Sequence, residues 1–346
     1  MQNLSIIPAN TQAAVASYQP QSSVALSGDT MKLMENKKSE NTRKAYKKFF
    51  TYFADWAMTV GVAIIDSETD TVNIDLIDTN LIRNYIAHIG TQKKSVAFAR
   101  SSVAAIGDFY CDAIDAFDAT VKDSMIIPTQ TKLVSDTLKA YERTYGKAPK
   151  KAKAAKADTI TAVTHDINFF GRTAATQLRN KALLLLGFAG AFRRSELAEL
   201  KVSDFEQLDK NRAIVHIRKS KTDQANKGAT KPIMAATDKN NCPIKAVKNW
   251  IAFAGLGGDD FLFCSIHKSG EPQTQKKLDG KDVNRIIKAV YGDSFSGHSL
   301  RSGFISEAFE RGLDAGKIQR VTLHKLEATV ASYRQIDDSF AGAFAL

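Results

Sequence analysis

Ala182-Leu183-Leu184-Leu185-Leu186-Gly187-Phe188-Ala189-Gly190-Ala191-Phe192-Arg193-Arg194-Ser195-Glu196-Leu197 is the stretch that decides the fold of the carboxyl-terminal half. From Ala182 to Phe192 it has no polar face, as expected of a helix buried on all sides. It is well short of the ~20 apolar residues needed to cross a bilayer, so it reads as a core element. Two guanidiniums follow at its end, with Glu196 three residues beyond Arg193. Working outward, further cationic groups come in order: Lys221 in Ser220-Lys221-Thr222, His298 and Arg301 in Gly297-His298-Ser299-Leu300-Arg301, then His324, and Tyr333 nine residues later. Cations and imidazoles gathered around a phenol suit attack on a phosphodiester. Fixed donors would stabilise the extra charge on the phosphorus oxygens, and the phenol would act as a covalent nucleophile.

Composition agrees with a polyanionic partner. The 346 residues carry 48 Lys and Arg against 37 Asp and Glu, a net charge of +11, which favours nucleic acid over a membrane. This length suits about two domains, and 44% hydrophobic residues are enough for sizeable cores. Cys111, Cys242 and Cys264 lie far apart with no CxxC pair, so they read as buried thiols of a reducing compartment. The six histidines show no ligand spacing, and neither a metal nor another cofactor is expected. The first twenty residues do not resemble a secretory signal. The expected location is the cytoplasm.

Residues 1–30, rich in Gln, Ser, Ala and Asn, read as a flexible tail. A helical domain over 31–142 follows. Its first helix is predicted to start near Asn41 as N-cap, with Tyr46, Phe49, Phe50, Phe53, Trp56, Ala57 and Val60 as its apolar stripe. Arg43, Lys44, Lys47 and Lys48 fall on the opposite face, either solvated or set against DNA phosphates. A second helix after Asp78 and a third over 95–111 are expected, with Lys93 and Lys94 between them and Arg100 on a polar side. A fourth follows Pro128, with Leu133, Val134, Leu138 and Tyr141 inward. Residues 143–157, with Lys150, Lys151, Lys153 and Lys156, have the composition of a basic linker, either a solvated tether or a strand lying along a duplex. In the second domain, 158–346, the alternation Arg212-Ala213-Ile214-Val215-His216-Ile217-Arg218 after the turn at Asp209-Lys210-Asn211 predicts a hairpin. Lys231-Pro232-Ile233-Met234 fits an edge strand beside it. Helices are expected from Pro243 to the end.

The order Arg, Lys, His-x-x-Arg, His, Tyr over roughly residues 180–335 resembles the tyrosine recombinase (phage integrase) family. The resemblance implies a mainly α, two-domain protein: an all-α N-terminal core-binding domain and an α+β C-terminal catalytic domain with a small antiparallel sheet. It assigns the first family arginine to Arg193, with Arg194 as rival and Glu196 as the carboxylate that orients it. Lys221 takes the place of the hairpin-turn lysine, a general acid for the departing 5′ oxygen, with Lys219 and Lys227 close enough to compete. Arg301 would complete the phosphate clamp. His298 would accept a proton or bind phosphate, and His324 would bond a non-bridging oxygen. Tyr333 would be the nucleophile, its phenol of ordinary pKa about 10 helped by neighbouring cations. Tyr291 reads as core.

The activity so implied is site-specific DNA recombination through a 3′-phosphotyrosyl intermediate and a Holliday junction, without cofactor. The expected partner is double-stranded DNA with an inverted-repeat site, bound by a homodimer that pairs into a homotetramer. The apolar tail Phe340-Ala341-Gly342-Ala343-Phe344-Ala345-Leu346 would dock into a neighbouring subunit. The alternatives are a type IB topoisomerase or telomere resolvase-like enzyme, or a DNA-binding regulator without catalysis.

Overall fold

The computed structural model describes residues 37–66, 71–114, 125–148, 151–218 and 228–333. The tail 1–30, Lys150, the turn containing Lys219, Lys221 and Lys227, and the apolar segment after Tyr333 lie outside the described residues. The chain divides into two compact units, Met1–Pro149 and Lys150–Leu346.

The first unit is a helical cluster. Helix α1 (Glu40–Thr59) is capped by Ser39, whose Oγ accepts from the Thr42 amide, two residues earlier than the predicted Asn41 cap. Ser39 wins because its extended backbone turns the hydroxyl onto the amide two residues inside the helix. Phe50, Phe53 and Ala57 are fully buried, whereas Val60 at the C-cap is exposed. Next come a two-residue ladder, β1 (Ile65–Asp66) with β2 (Thr71–Val72), helix α2 (Thr79–Thr91) capped by Asp78, and helix α3 (Val96–Ile114). Helix α4 (Lys132–Tyr145), capped by Thr131, buries Val134 and Tyr141. Leu133, predicted inward, is 53% exposed because Val134 and Tyr141, seven residues apart, define the inner stripe. Tyr141 also donates from its hydroxyl to the Lys94 carbonyl, tying α4 to the turn after α2.

The second unit begins with an extended segment. Lys153 and Ala155 donate their amides to the carbonyls of Ser294 and Ser299. The fit against this segment requires glycine at 303, where a Cβ would collide with the Ala155 carbonyl. Helix α5 (Ala157–Thr164) follows, then α6 (Ala174–Ala189), which buries Ala182 through Leu186 without interruption. Helix α6 ends at Gly190, and Ala191 adopts a left-handed φ of 47° that turns the chain toward Arg193. Short helix α7 (Arg194–Glu199) starts there. A three-stranded antiparallel sheet then forms in the order β3 (Phe205–Gln207), β4 (Arg212–Ile217), β5 (Ala229–Met234). Pro232 sits on edge strand β5 opposite Ile214, where its missing amide donor costs no ladder bond.

After helix α8 (Pro243–Ala254) the helical expectation fails once. A hairpin of β6 (Cys264–Ile266) and β7 (Pro272–Lys277) intervenes. Its second strand, Pro-Gln-Thr-Gln-Lys-Lys, is polar on both faces, so no period-two alternation announces it. Helices α9 (Gly280–Tyr291), α10 (Ser299–Glu310), α11 (Ala315–Thr322) and α12 (Glu327–Ala331) complete the described chain. No described helix is long and apolar enough to cross a membrane.

Candidate active site

Helix ends and a strand place the charged groups. His298 stands at the N-cap of α10 and Arg301 one turn inside it. Arg193 is the N-cap of α7, whose Glu196 reaches back to accept from the Arg193 amide at 3.0 Å. The same carboxylate accepts from the Arg193 guanidinium at 2.6 Å, so a nearly buried acid fixes both backbone and side chain of Arg193. Arg194 points elsewhere. It is exposed and packs against Gly280 and Gly297, where it leaves no room for a Cβ at Gly297.

Arg301 is fully buried. Its guanidinium donates to the Ala191 carbonyl at 2.7 Å, to the Thr322 carbonyl, and to His324 Nε2 at 3.0 Å. It thus bridges the turn after α6 and the end of α11. Burial pulls its pKa down to about 10, with Arg193 adding repulsion, which still leaves it charged at neutral pH. Its Nε–H is buried without a hydrogen-bond partner, an uncommon state for such a donor.

Tyr333 follows α12 and lies between two imidazoles, with ring centroids 5.9 Å from His298 and 6.1 Å from His324. His298 Nε2 is 2.5 Å from the Tyr333 hydroxyl. Burial holds the His298 pKa below its ordinary value, and Arg301, Arg193 and Arg194 push the same way. The imidazole is therefore neutral at neutral pH and can accept the phenolic proton. His324 is driven further, to about 4, by burial first and then by Arg301, Arg193, His298 and Lys231. Its Nδ1 lies 2.8 Å from the Thr322 hydroxyl, which fixes the ring. Tyr291, in contrast, keeps its hydroxyl buried and unpartnered, and burial pushes its pKa far up, as for a core residue.

His298 and Tyr333 open onto a cleft of about 890 Å³ also lined by Lys151, Lys153, Ser302 and Ser332. Of the lysines read as a basic linker, these two are exposed at this cleft. Arg43, Lys44, Lys47 and Lys48 are all exposed on α1 of the first unit, as are Lys93, Lys94 and Arg100 around the start of α3. Lys44 pairs with Glu40 at 2.5 Å and Arg100 with Glu142 at 2.6 Å; exposed pairs of this kind are weak and yield readily to a stronger anion.

One buried cation in this region escaped the sequence reading. Lys231 on β5 is fully buried, shares the inward face with Ile233, and lies 4.0 Å from Glu196. Its signal was register: in the alternation of β5 a lysine takes an inward position, opposite buried Val215.

A phenol held by a neutral imidazole, with two arginines braced behind it, defines a class of proteins equipped for phosphoryl transfer to tyrosine. The chain belongs to the phage integrase family, whose model matches residues 155–339, and with it to the tyrosine recombinases, enzymes that transfer DNA strands. An integrase/recombinase XerD homologue of Selenomonas ruminantium is 28% identical over 306 residues, covering 87% of this chain and 83% of that protein. Recombinase Cre of Escherichia phage P1 is 27% identical over 183 residues, 48% of this chain and 52% of Cre. Among solved structures, the XerH site-specific recombinase bound to palindromic difH substrate, a post-cleavage complex, aligns with a TM-score of 0.56 and 18% identity over 75% of this chain and 69% of that one. A lambda integrase dimer bound to a core site aligns with a TM-score of 0.55 and 17% identity over 91% and 95%. At these identities the structural likeness carries the fold: two domains, mainly helical, with small antiparallel sheets.

Proposed function

We propose that the protein is a site-specific DNA recombinase with Tyr333 as nucleophile. The observation that carries the assignment is the 2.5 Å contact between His298 Nε2 and the Tyr333 hydroxyl, backed by the Arg193–Glu196 pair and the buried Arg301. The phenolic oxygen attacks the scissile phosphorus and its proton passes to neutral His298. The bond from phosphorus to the 5′ oxygen breaks, and Lys221 supplies the proton to that leaving group. A 3′-phosphotyrosyl link and a free 5′ hydroxyl result. Attack by the 5′ hydroxyl of a partner duplex reverses the step through a Holliday junction. The bond energy stays in the phosphotyrosine, so no ATP is consumed.

Arg193 and Arg301 bind the phosphate oxygens as charge accumulates on them. His324, which accepts from Arg301, bonds a non-bridging phosphate oxygen beside it. The exposed Arg43, Lys44, Lys47, Lys48, Lys93, Lys94 and Arg100 of the first unit, with Lys150, Lys151 and Lys153, take backbone phosphates and position the duplex. The protein acts in the cytoplasm, as a dimer on inverted half-sites and a tetramer in synapsis, joined through the apolar tail after residue 339.

Nicked duplexes tiled across the DNA flanking its own coding sequence would test this on a denaturing gel. Wild type should give a protein band shifted by one DNA strand, and Tyr333→Phe should bind the same fragment without the shift. Cleavage by Tyr333→Phe would sink the assignment, and relaxation of supercoiled DNA lacking any specific site would move it to a topoisomerase.

A further inference from the structure

Two backbone segments present the groups just described. The turn after α6 carries Gly190 and Ala191 into Arg193, and the end of α11 carries Val321, Thr322 and Leu323 into His324. Arg301 joins them by one pair of carbonyls, Ala191 and Thr322. Lys231 joins them by the next pair: its Nζ donates to the Gly190 carbonyl at 2.8 Å and to the Val321 carbonyl at 2.8 Å. Arg193 reaches the Leu323 carbonyl at 3.5 Å. The successive carbonyls of Val321, Thr322 and Leu323 thus take Lys231, Arg301 and Arg193 in turn. Carbonyls at a helix C-terminus lack intrahelical donors and carry the negative end of the dipole, so they are good acceptors for cations.

From this ladder we infer that Lys231 is a positioning residue for strand transfer: it sets the spacing between the turn that presents Arg193 and the segment that presents His324. The inference rests on the recombinase reading above. Lys231 touches neither the phenol nor the cleft, and acts through the two backbones it bridges.

The setting supports a specific role over simple packing. Its inward neighbours on the sheet, Val215 and Ile233, are aliphatic and fully enclosed, and an aliphatic residue at 231 would fill the same space. A lysine there loses its hydration, and burial drives its pKa down to about 7 against the opposing pull of Glu196, with Arg301 and Arg193 adding to the depression. What remains to it are two carbonyls, the carboxylate at 4.0 Å and the face of Phe192, whose ring centroid is 5.1 Å from Nζ. Replacing a buried charge with an apolar residue of like volume is often neutral or stabilising. A buried lysine that spends its donors on two carbonyls, between two segments that carry proposed catalytic groups, points to geometry as its purpose.

The test compares wild type with Lys231→Met and Lys231→Gln, on the nicked duplex that wild type traps covalently and on the same duplex with sulfur at the 5′ bridging position. The sulfur leaves without needing a proton, so it rescues loss of a general acid and does nothing for a misplaced clamp. Lys231→Met should keep its affinity for the duplex and melt within about 5 °C of wild type, yet cleave about 10- to 100-fold more slowly, the scale of an ångström-size misplacement. The sulfur substrate should not restore it, whereas it should restore Lys221→Ala. Lys231→Gln, which keeps two N–H donors for the carbonyls, should cleave faster than Lys231→Met. Should the methionine variant fail to fold, Lys231→Leu carries the comparison: wild-type rates from it, with both carbonyl bonds gone, would overturn the inference, and a slowed rate unmoved by sulfur would sustain it. Unchanged cleavage by Lys231→Met, or its rescue by sulfur, overturns the inference while leaving the recombinase reading intact. Absence of any covalent complex from wild type overturns both.

Discussion

Glu196 offers the sharpest single perturbation, because one buried carboxylate serves two bonds on Arg193. Glu196→Gln keeps the shape and leaves an oxygen to accept from the Arg193 amide, but it removes the negative charge from the 2.6 Å contact with the guanidinium. Hydrogen bonds to charged groups are worth about 1.5–3 kcal/mol, against roughly 1 for neutral ones, so the exchange should cost about 1–2 kcal/mol. The loss of local charge balance adds to this. Arg193, Arg301 and the Lys231 ammonium would then repel one another with one negative charge fewer. Deprotonation of Lys231 relieves part of that strain, because Glu196 is what raises its pKa. A net loss of about 1–3 kcal/mol in the second unit corresponds to a fall in melting temperature of roughly 3–10 °C for a domain of this size. Cleavage should fall further than folding, by about 10- to 100-fold, since Arg193 would no longer be held in one orientation. Both numbers come from thermal denaturation and from single-turnover cleavage of a nicked duplex. The pair is buried, so raising salt should not erase the difference between wild type and variant. Wild-type melting together with wild-type cleavage in Glu196→Gln would refute the orienting role.

Other outcomes follow from the same geometry. The depressed pKa of His298 predicts a cleavage rate that does not fall until the pH drops below about 6.5, because only then does the imidazole begin to hold its own proton and cease to accept one from Tyr333; a rate already falling between pH 8 and 7 would contradict this base. Stability should respond in the same direction. His324 is held near 4 in the folded state, so its contribution is whole above the unfolded value of about 6.5 and is lost as the pH falls from there toward 4; chemical denaturation of wild type and His324→Gln across that range would show it as a difference in slope. Gly303→Ala should force the 151–156 segment off α10 at a cost of about 1–3 kcal/mol, visible as a lower melting temperature and as protease cutting near Lys153; an unaltered melting curve would contradict the tight approach.

Much of the fold was legible because its signals are local. The helix starts after Asp78 and after Pro128, the unbroken apolar run into α6, and the alternation of β4 each declare an element within a few residues. The polar hairpin of β6 and β7 was not legible, since nothing in Pro272–Lys277 alternates. Of the residues that order and spacing single out, the structure brings Arg193, His298, Arg301, His324 and Tyr333 together, and Lys221 lies outside the described residues. The choice between Arg193 and Arg194 needed the carboxylate of Glu196, which sequence could only suggest. Lys231 was hidden for a physical reason: a lysine on an edge strand ordinarily faces water, and only the register opposite Val215 turns it inward. The depressed pKa values at His298 and His324 arise first from burial, which the tertiary packing sets, so no local pattern could announce them.

The central claim is that the phenol of Tyr333 carries the DNA strand, and the most direct measurement is the site of covalent attachment. Trapped complex digested with nuclease and trypsin should yield the peptide Leu326–Arg334, mass-shifted by a nucleotide remnant that fragmentation places on Tyr333. The same remnant on any other tyrosine, or on a serine, would contradict the account.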